Sequence, residues 1–209
     1  MNPAGWRFAA YKWACGLTAA AIQTTIYFVV GQAHLSRSTE ILRTRLDDAI
    51  PFLPVTSWFY LPIYAGIFII AIIGFGTRVH FDRALRGVFL VMLVGLVGHL
   101  LVGAEYPRPL LKPPHASLSA AFLALVQAID PPGNVFPSLH VAHTSSLALI
   151  LHHENPRLGR VVMGLAALLA LSTLTTKQHF IADVVAGFAL AALSRVVVLR
   201  GVPRGGLPP

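Results

Sequence analysis

Residues 165–193 read LAALLALSTLTTKQHFIADVVAGFALAAL, two apolar runs split by one short polar turn. With its continuation away from the turn, each run approaches the roughly 20 residues that a helix needs to cross a bilayer. The pair therefore reads as two membrane helices joined where Thr176-Lys177-Gln178-His179 meets water. Outward from this pair the same pattern recurs along the chain, and apolar runs near 14–31, 57–76, 87–103, 136–151, 161–175 and 180–199 predict an all-α bundle of six transmembrane helices.

Composition agrees with this reading. Hydrophobic residues make up 56% of the 209 and charged residues 11%, where a soluble domain would carry about a quarter charged. Mean hydropathy is +0.70. The first run lacks a small-residue cleavage site and joins further spans, so it is expected to be a retained helix, not a signal peptide. Cys15, the single cysteine, excludes an intramolecular disulfide. No repeat or soluble segment fits between the runs, so residues 1–209 are expected to form one membrane-embedded domain.

The net charge of +8 is unevenly placed. With a cytoplasmic amino terminus, Arg7, Lys12, Arg78, Arg83, Arg86, Arg157, Arg160, Arg195, Arg200 and Arg204 fall on the cytoplasmic side, against Asp82 and Glu154 alone. The cations and anions of the opposite side cancel. This is the positive-inside bias; it predicts both termini in the cytoplasm and makes a nucleic-acid partner unnecessary. The outer loops are the elaborate ones. Residues 34–50 suggest an interfacial helix with Leu35, Leu42, Leu46, Ala49 and Ile50 as its apolar stripe, ended by Pro51 and Pro54. Leu118–Ile129 is apolar but too short to span, so it predicts an interfacial or re-entrant helix.

Three segments on this outer side carry chemistry. Phe136-Pro137-Ser138-Leu139-His140 opens the fourth run, with Pro137 expected at the first helical position. The free backbone donors of the next residues would then form an anion site, joined by the Ser138 hydroxyl, and His140 would stand ready to protonate a leaving oxygen. An ordinary helix start with an interfacial histidine explains that segment by itself equally well. His179 and Asp183 are four residues apart, which on a helix places them on one face. A carboxylate on one ring nitrogen leaves the other free to attack, and an ionised carboxylate within a span marks function or a buried partner. Lys177 lies within reach of a phosphate there, although a snorkelling interfacial lysine would read the same. Glu105-Tyr106-Pro107-Arg108-Pro109 holds a guanidinium on a stiff backbone; taken alone it suits a headgroup anchor, with Tyr106 in the aromatic belt. Topology links the segments, because six spans put all three at one end of the bundle. His99 is expected to bond a neighbouring helix. His140 and His143 form His-x-x-His without a further ligand at a familiar spacing, so no metal site is assigned.

These segments resemble the type 2 phosphatidic acid phosphatase and vanadium haloperoxidase superfamily over residues 45–198. Within it, Pro-Ser-Leu-His, Thr-Lys-Gln-His with its following aspartate, and the lead-in Asp48-Ala49-Ile50-Pro51-Phe52-Leu53-Pro54 are most similar to the inositol phosphorylceramide synthase-like branch. The resemblance implies a helical bundle without cofactor or metal. It implies His179 as a nucleophile that becomes phosphohistidine, Asp183 as its orienting carboxylate, His140 as the acid, and Arg108, Ser138 and Lys177 as phosphate ligands. Leu101, Leu139 and Thr173 depart from the family's lysine, glycine and arginine, and Lys112 or Lys177 are the candidates to restore the missing charge.

The expected function is a membrane lipid phosphatase, in the plasma (inner) membrane with its site on the non-cytoplasmic face. A phosphotransferase that moves a phosphorylated headgroup to a lipid acceptor follows closely. A non-catalytic lipid-binding or transport bundle would need cations but neither nucleophile nor acid, and the soluble haloperoxidase type has no counterpart in this chain.

Overall fold

The computed structural model describes residues 3–33, 42–112, 116–130 and 132–202. The first eight residues of the expected 34–50 helix, and with them Leu35, Arg37 and Glu40, lie outside the described residues, as does Arg204. The helices are α1 (Pro3–Ala33), α2 (Arg45–Ala49), α3 (Ser57–Gly74), α4 (Arg78–Val102), α5 (Leu118–Ile129), α6 (Leu139–Glu154), α7 (Pro156–Thr175) and α8 (Ile181–Val198), with no strand among the described residues.

Five helices, α1, α3, α4, α7 and α8, are long and apolar enough to cross a membrane. Large apolar side chains stay exposed along them, among them Val29, Ile73, Leu93, Leu171 and Val185, as suits surfaces that face lipid. α6 differs. Its 16 residues rise about 24 Å, short of the roughly 30 Å hydrocarbon layer, and it includes Thr144, Ser145 and Ser146. It packs on α3, α4, α7 and α8, and nearly all its side chains are buried. A helix surrounded by protein needs no apolar face for lipid, which is why its polar residues are tolerated.

The expected spans shift at their ends. α4 begins at Arg78, nine residues before the run near 87–103, because the Thr77 hydroxyl caps it by accepting from the His80 N–H. It stops at Gly103, whose φ of 59° is a left-handed helix ending. α5 occupies the predicted Leu118–Ile129, capped by Ser117. Within the expected 34–50 helix, the described part is helical only from Arg45 to Ala49. Thr44 and Asp47 close a capping box at its start, and Ile50 is extended. Leu46 of the predicted stripe is exposed.

Two close approaches set the helix carrying His140 against its neighbours. A Cβ on Gly187 of α8 would stand 2.8 Å from the Ser138 carbonyl oxygen and 3.1 Å from Val141 Cβ. A Cβ on Gly98 of α4 would meet the Pro137 ring at 2.5 Å. The start of α6 is thus wedged between α4 and α8 where both present bare backbone.

Candidate active site

The start of α6 departs from the sequence expectation. Pro137 lies outside the helix, and Ser138 is the N-cap, its hydroxyl accepting from the Val141 N–H. Capping favours serine here because its oxygen satisfies a donor the first turn leaves unpaired. The Ser138 N–H is not free for an anion; it donates to the Asp183 carbonyl at 3.1 Å. The Val141 N–H is taken up by the cap, so the Ser138 hydroxyl hydrogen and the amides of Leu139 and His140 are the donors left at that end.

His179 is not on the face of α8. The chain turns through Thr176–Phe180, and α8 begins at Ile181 with Phe180 as N-cap. Asp183, at the third helical position, reaches back: its Oδ2 accepts from the Phe180 N–H at 2.7 Å and stands 3.4 Å from His179 Nδ1. A carboxylate in the first turn favours the helix start, so one side chain both caps α8 and faces the histidine. The other carboxylate oxygen is buried without a hydrogen-bond partner among the described residues. Backbone bonds from Gln178 and His179 to the Thr173 carbonyl pin the turn to α7. Thr173, where the family pattern has an arginine, therefore contributes its backbone there.

The two histidines meet across the bundle. Their ring centroids are 5.8 Å apart at 59°, and both rings are largely buried. Nδ1 of His179 faces Asp183 at a distance longer than a hydrogen bond of good geometry, and Nε2 is the ring nitrogen turned away from that carboxylate.

Behind His140 lies a set of residues that the sequence reading left unassigned. The Tyr60 hydroxyl stands 3.1 Å from His140 Nε2 and 3.2 Å from Nδ1, and donates to Asp130 Oδ2 at 3.1 Å. Tyr27 donates to the other oxygen of Asp130. Arg108 joins the same carboxylate at 3.1 Å and also donates to the Asp130 carbonyl. Burial alone would raise the Asp130 pKa, but Arg108, His140 and the Tyr27 hydrogen bond outweigh it and hold the group below the usual carboxylate value. Asp130 thus orients Arg108 and reaches His140 through Tyr60. Its sequence signal is faint: one aspartate closing an apolar helix, 22 residues from its arginine.

The remaining predicted residues divide. Lys177 adopts φ 57°, and its ammonium donates to the Asp47 and Ile50 carbonyls at 2.8 and 2.7 Å. It clamps α2 against the start of α8 and keeps one donor for other use. Asp47 completes that clamp, accepting from the Ile181 N–H at 2.7 Å. Lys112 is exposed in the segment after Arg108. Tyr106 does not lie in an outer aromatic belt; it is buried and stacks on Phe180, centroids 4.2 Å apart. Burial raises its hydroxyl pKa to about 12, with the Asp47 charge adding to the effect. His99, expected to bond a neighbouring helix, has its Nδ1 3.2 Å from the carbonyl oxygen of Phe136, which belongs to the non-helical segment before α6.

A cavity of about 220 Å³ opens beside His140, between α1, α3 and α5. Tyr27, Tyr60, Tyr64 and Asp130, with Gln23 and Thr24, supply its polar groups, while Phe28, Leu61, Val126, Ile129 and Leu139 give it an apolar wall. Leu61 and Ile129 are exposed, so the cavity reaches the surface of the bundle. His179 is absent from its wall.

One end of the bundle thus gathers a guanidinium paired to Asp130, a helix start and two facing histidines, one of them beside a carboxylate. No curated protein and no solved structure matches the chain. The model of the PAP2 superfamily matches residues 24–197, a span that holds both histidine segments, Arg108 and Asp130, and the chain belongs to that superfamily.

Proposed function

We propose that the protein is an integral membrane phosphatase that hydrolyses the phosphate ester of a lipid through a phosphohistidine. The observation that carries this reading is the pair of facing histidines, His179 with Asp183 at one ring nitrogen and His140 backed by Tyr60 and Asp130. Superfamily membership supports phosphatase-type phosphoryl transfer. In the proposed reaction, Nε2 of His179 attacks phosphorus and the ester P–O bond breaks. His140 gives its proton to the departing alcohol oxygen. Water then attacks the phosphohistidine, His140 takes back a proton, and inorganic phosphate leaves.

Arg108, the start of α6 and the Ser138 hydroxyl carry the phosphate charge in this scheme, and Asp183 supports the imidazole as it turns cationic. Lys177 acts by holding the His179 turn through α2, and Lys112 adds positive charge to the approach. Because the acid lies on the leaving-group side, the alcohol occupies the cavity on the His140 side, away from His179. Its apolar wall and outward opening suit an alkyl chain entering from the bilayer.

The proposal extends to topology. Residues 1–209 form one membrane-embedded unit in the plasma (inner) membrane, with α6 as a sixth crossing, both termini cytoplasmic and the histidines on the opposite face. The charge asymmetry supports this orientation.

Trapping the intermediate tests the chemistry. Protein mixed with a ³²P-labelled lipid phosphate and quenched in base is expected to carry an acid-labile label that His179→Ala removes. Adding inositol-, glycerol- or ceramide-type acceptors is expected to leave phosphate release unchanged. A labelled lipid that forms only with an acceptor would overturn hydrolysis in favour of the synthase-like transfer, and unchanged labelling in His179→Ala would overturn the nucleophile.

A further inference from the structure

The end of the bundle opposite the histidines carries an excess of cations, and its two acidic residues are already engaged. Asp82 accepts from the Tyr11 hydroxyl at 2.7 Å and pairs with Arg78 at 3.7 Å. Glu154 accepts from the Gly76 N–H at 3.0 Å and faces His80 at 3.4 Å. Between the beginning of α4 and the end of α8 lies a recess of about 440 Å³ into which Arg83, Arg86 and Arg200 converge, with no acidic residue in its wall. One terminal nitrogen of Arg83 is shielded from solvent and has no hydrogen-bond partner among the described residues.

A shielded guanidinium nitrogen without a partner is costly. The chain offers little to neutralise it. Asp47, Asp48, Glu105, Asp130 and Asp183 belong to the histidine end, and Glu40 lies outside the described residues.

Apolar side chains fill the rest of the recess wall. Leu90 stands one turn beyond Arg86 along α4, and Val197 lies in the last turn of α8, both displaced from the arginines toward the middle of the bundle. Val198 and Val202 flank Arg200 in sequence, the first at the end of that helix and the second just past it. A cationic mouth above an apolar groove matches a phosphate headgroup with an acyl chain running inward. The planar fork of arginine suits phosphate oxygens, and basic recesses between helices at a cytoplasmic surface are places where anionic headgroups settle. We propose that this recess is a binding site for an anionic glycerophospholipid of the surrounding membrane, separate from the histidine site. Arg83, Arg86 and Arg200 receive its phosphate, and Leu90 and Val197 receive the start of one acyl chain.

Native mass spectrometry of the full chain in detergent tests this, with dioleoylphosphatidylglycerol and dioleoylphosphatidylcholine as probes. The wild-type protein is expected to retain one phosphatidylglycerol with at least tenfold preference over phosphatidylcholine. Arg83→Gln/Arg200→Gln is expected to lose that preference. Arg157→Gln/Arg160→Gln removes the same charge from a neighbouring recess that also contains Glu154, and is expected to keep it. Equal losses in the two double variants would overturn the site in favour of diffuse surface charge. Displacement of the lipid by equimolar inorganic phosphate would make it a free-anion site and overturn the lipid as occupant. If the arginine variant does not elute as a monodisperse peak, Leu90→Trp decides, since it fills the groove and leaves every charge in place; undiminished phosphatidylglycerol binding in that variant overturns the proposal.

Discussion

Gly187→Ala probes the geometry on which the site depends. The added Cβ would stand 2.8 Å from the Ser138 carbonyl oxygen, where ordinary contact begins near 3.4 Å, so the backbones of α6 and α8 must separate by about 0.6 Å. Backbone cannot rotate away as a flexible side chain can. Overpacking of this kind costs about 1–3 kcal/mol, partly offset by about 1 kcal/mol from the better helix propensity of alanine. The separation falls on the joint that matters, since Ser138 bonds the Asp183 carbonyl and the two histidines stand on either side of it. A displacement near 1 Å between reacting groups costs on the order of a hundredfold, so a loss of roughly tenfold in kcat is expected beside a modest fall in Tm. Gly164→Ala on α7 is the control, because its Cβ meets nothing within 4 Å, and it is expected to be neutral or slightly stabilising. Phosphate release and thermal unfolding would be followed on purified protein in detergent. Wild-type turnover and Tm in Gly187→Ala, or equal losses in both variants, would refute the reasoning.

His140→Ala is expected to slow release of an alkyl alcohol by about a hundredfold or more, the scale of general acid catalysis, and to affect a nitrophenyl ester much less; equal losses would mean that His140 only binds. Asp47 titrates with a sign that can be checked. Burial favours its neutral form, but hydrogen bonds from Thr44 and the Ile181 N–H outweigh this and lower its pKa. A depressed carboxylate pKa contributes stability that is present above the unfolded value near 4 and lost as pH falls through the folded value. Hydrogen exchange in residues 42–50 is therefore expected to rise below about pH 4, and Asp47→Asn should show that exchange already at pH 7; a flat profile in the wild-type protein would count against the clamp. For sidedness, Lys112→Cys in a Cys15→Ser background is expected to react with an impermeant reagent in cells whose outer envelope has been opened, whereas Arg157→Cys should need permeabilised membranes. The reverse pattern would invert the orientation.

The apolar runs alone determined that the chain is helical and built for a membrane. Their hydrophobicity is a property of each segment, and no distant residue is needed to read it. The motifs also named His140, His179 and Asp183, because serine, histidine and aspartate at helix starts leave a local pattern. Helix starts depended on more than pattern. Ser138 caps α6 and Pro137 lies outside it, and His179 lies before α8, because capping is settled by which side chain reaches which amide. Hydropathy also gave no notice that most of α6 is buried among α3, α4, α7 and α8, which depends on the neighbours around it. Asp130 was beyond a linear reading: it matters through Arg108, Tyr27 and Tyr60, which come from three other parts of the chain and meet only when α1, α3 and α5 pack around His140. Lys177 shows the same limit from the other side, since sequence supplied a cation near a histidine, and folding committed two of its donors to the carbonyls of Asp47 and Ile50. A segment's chemistry is local, while the partners that orient it are chosen by packing.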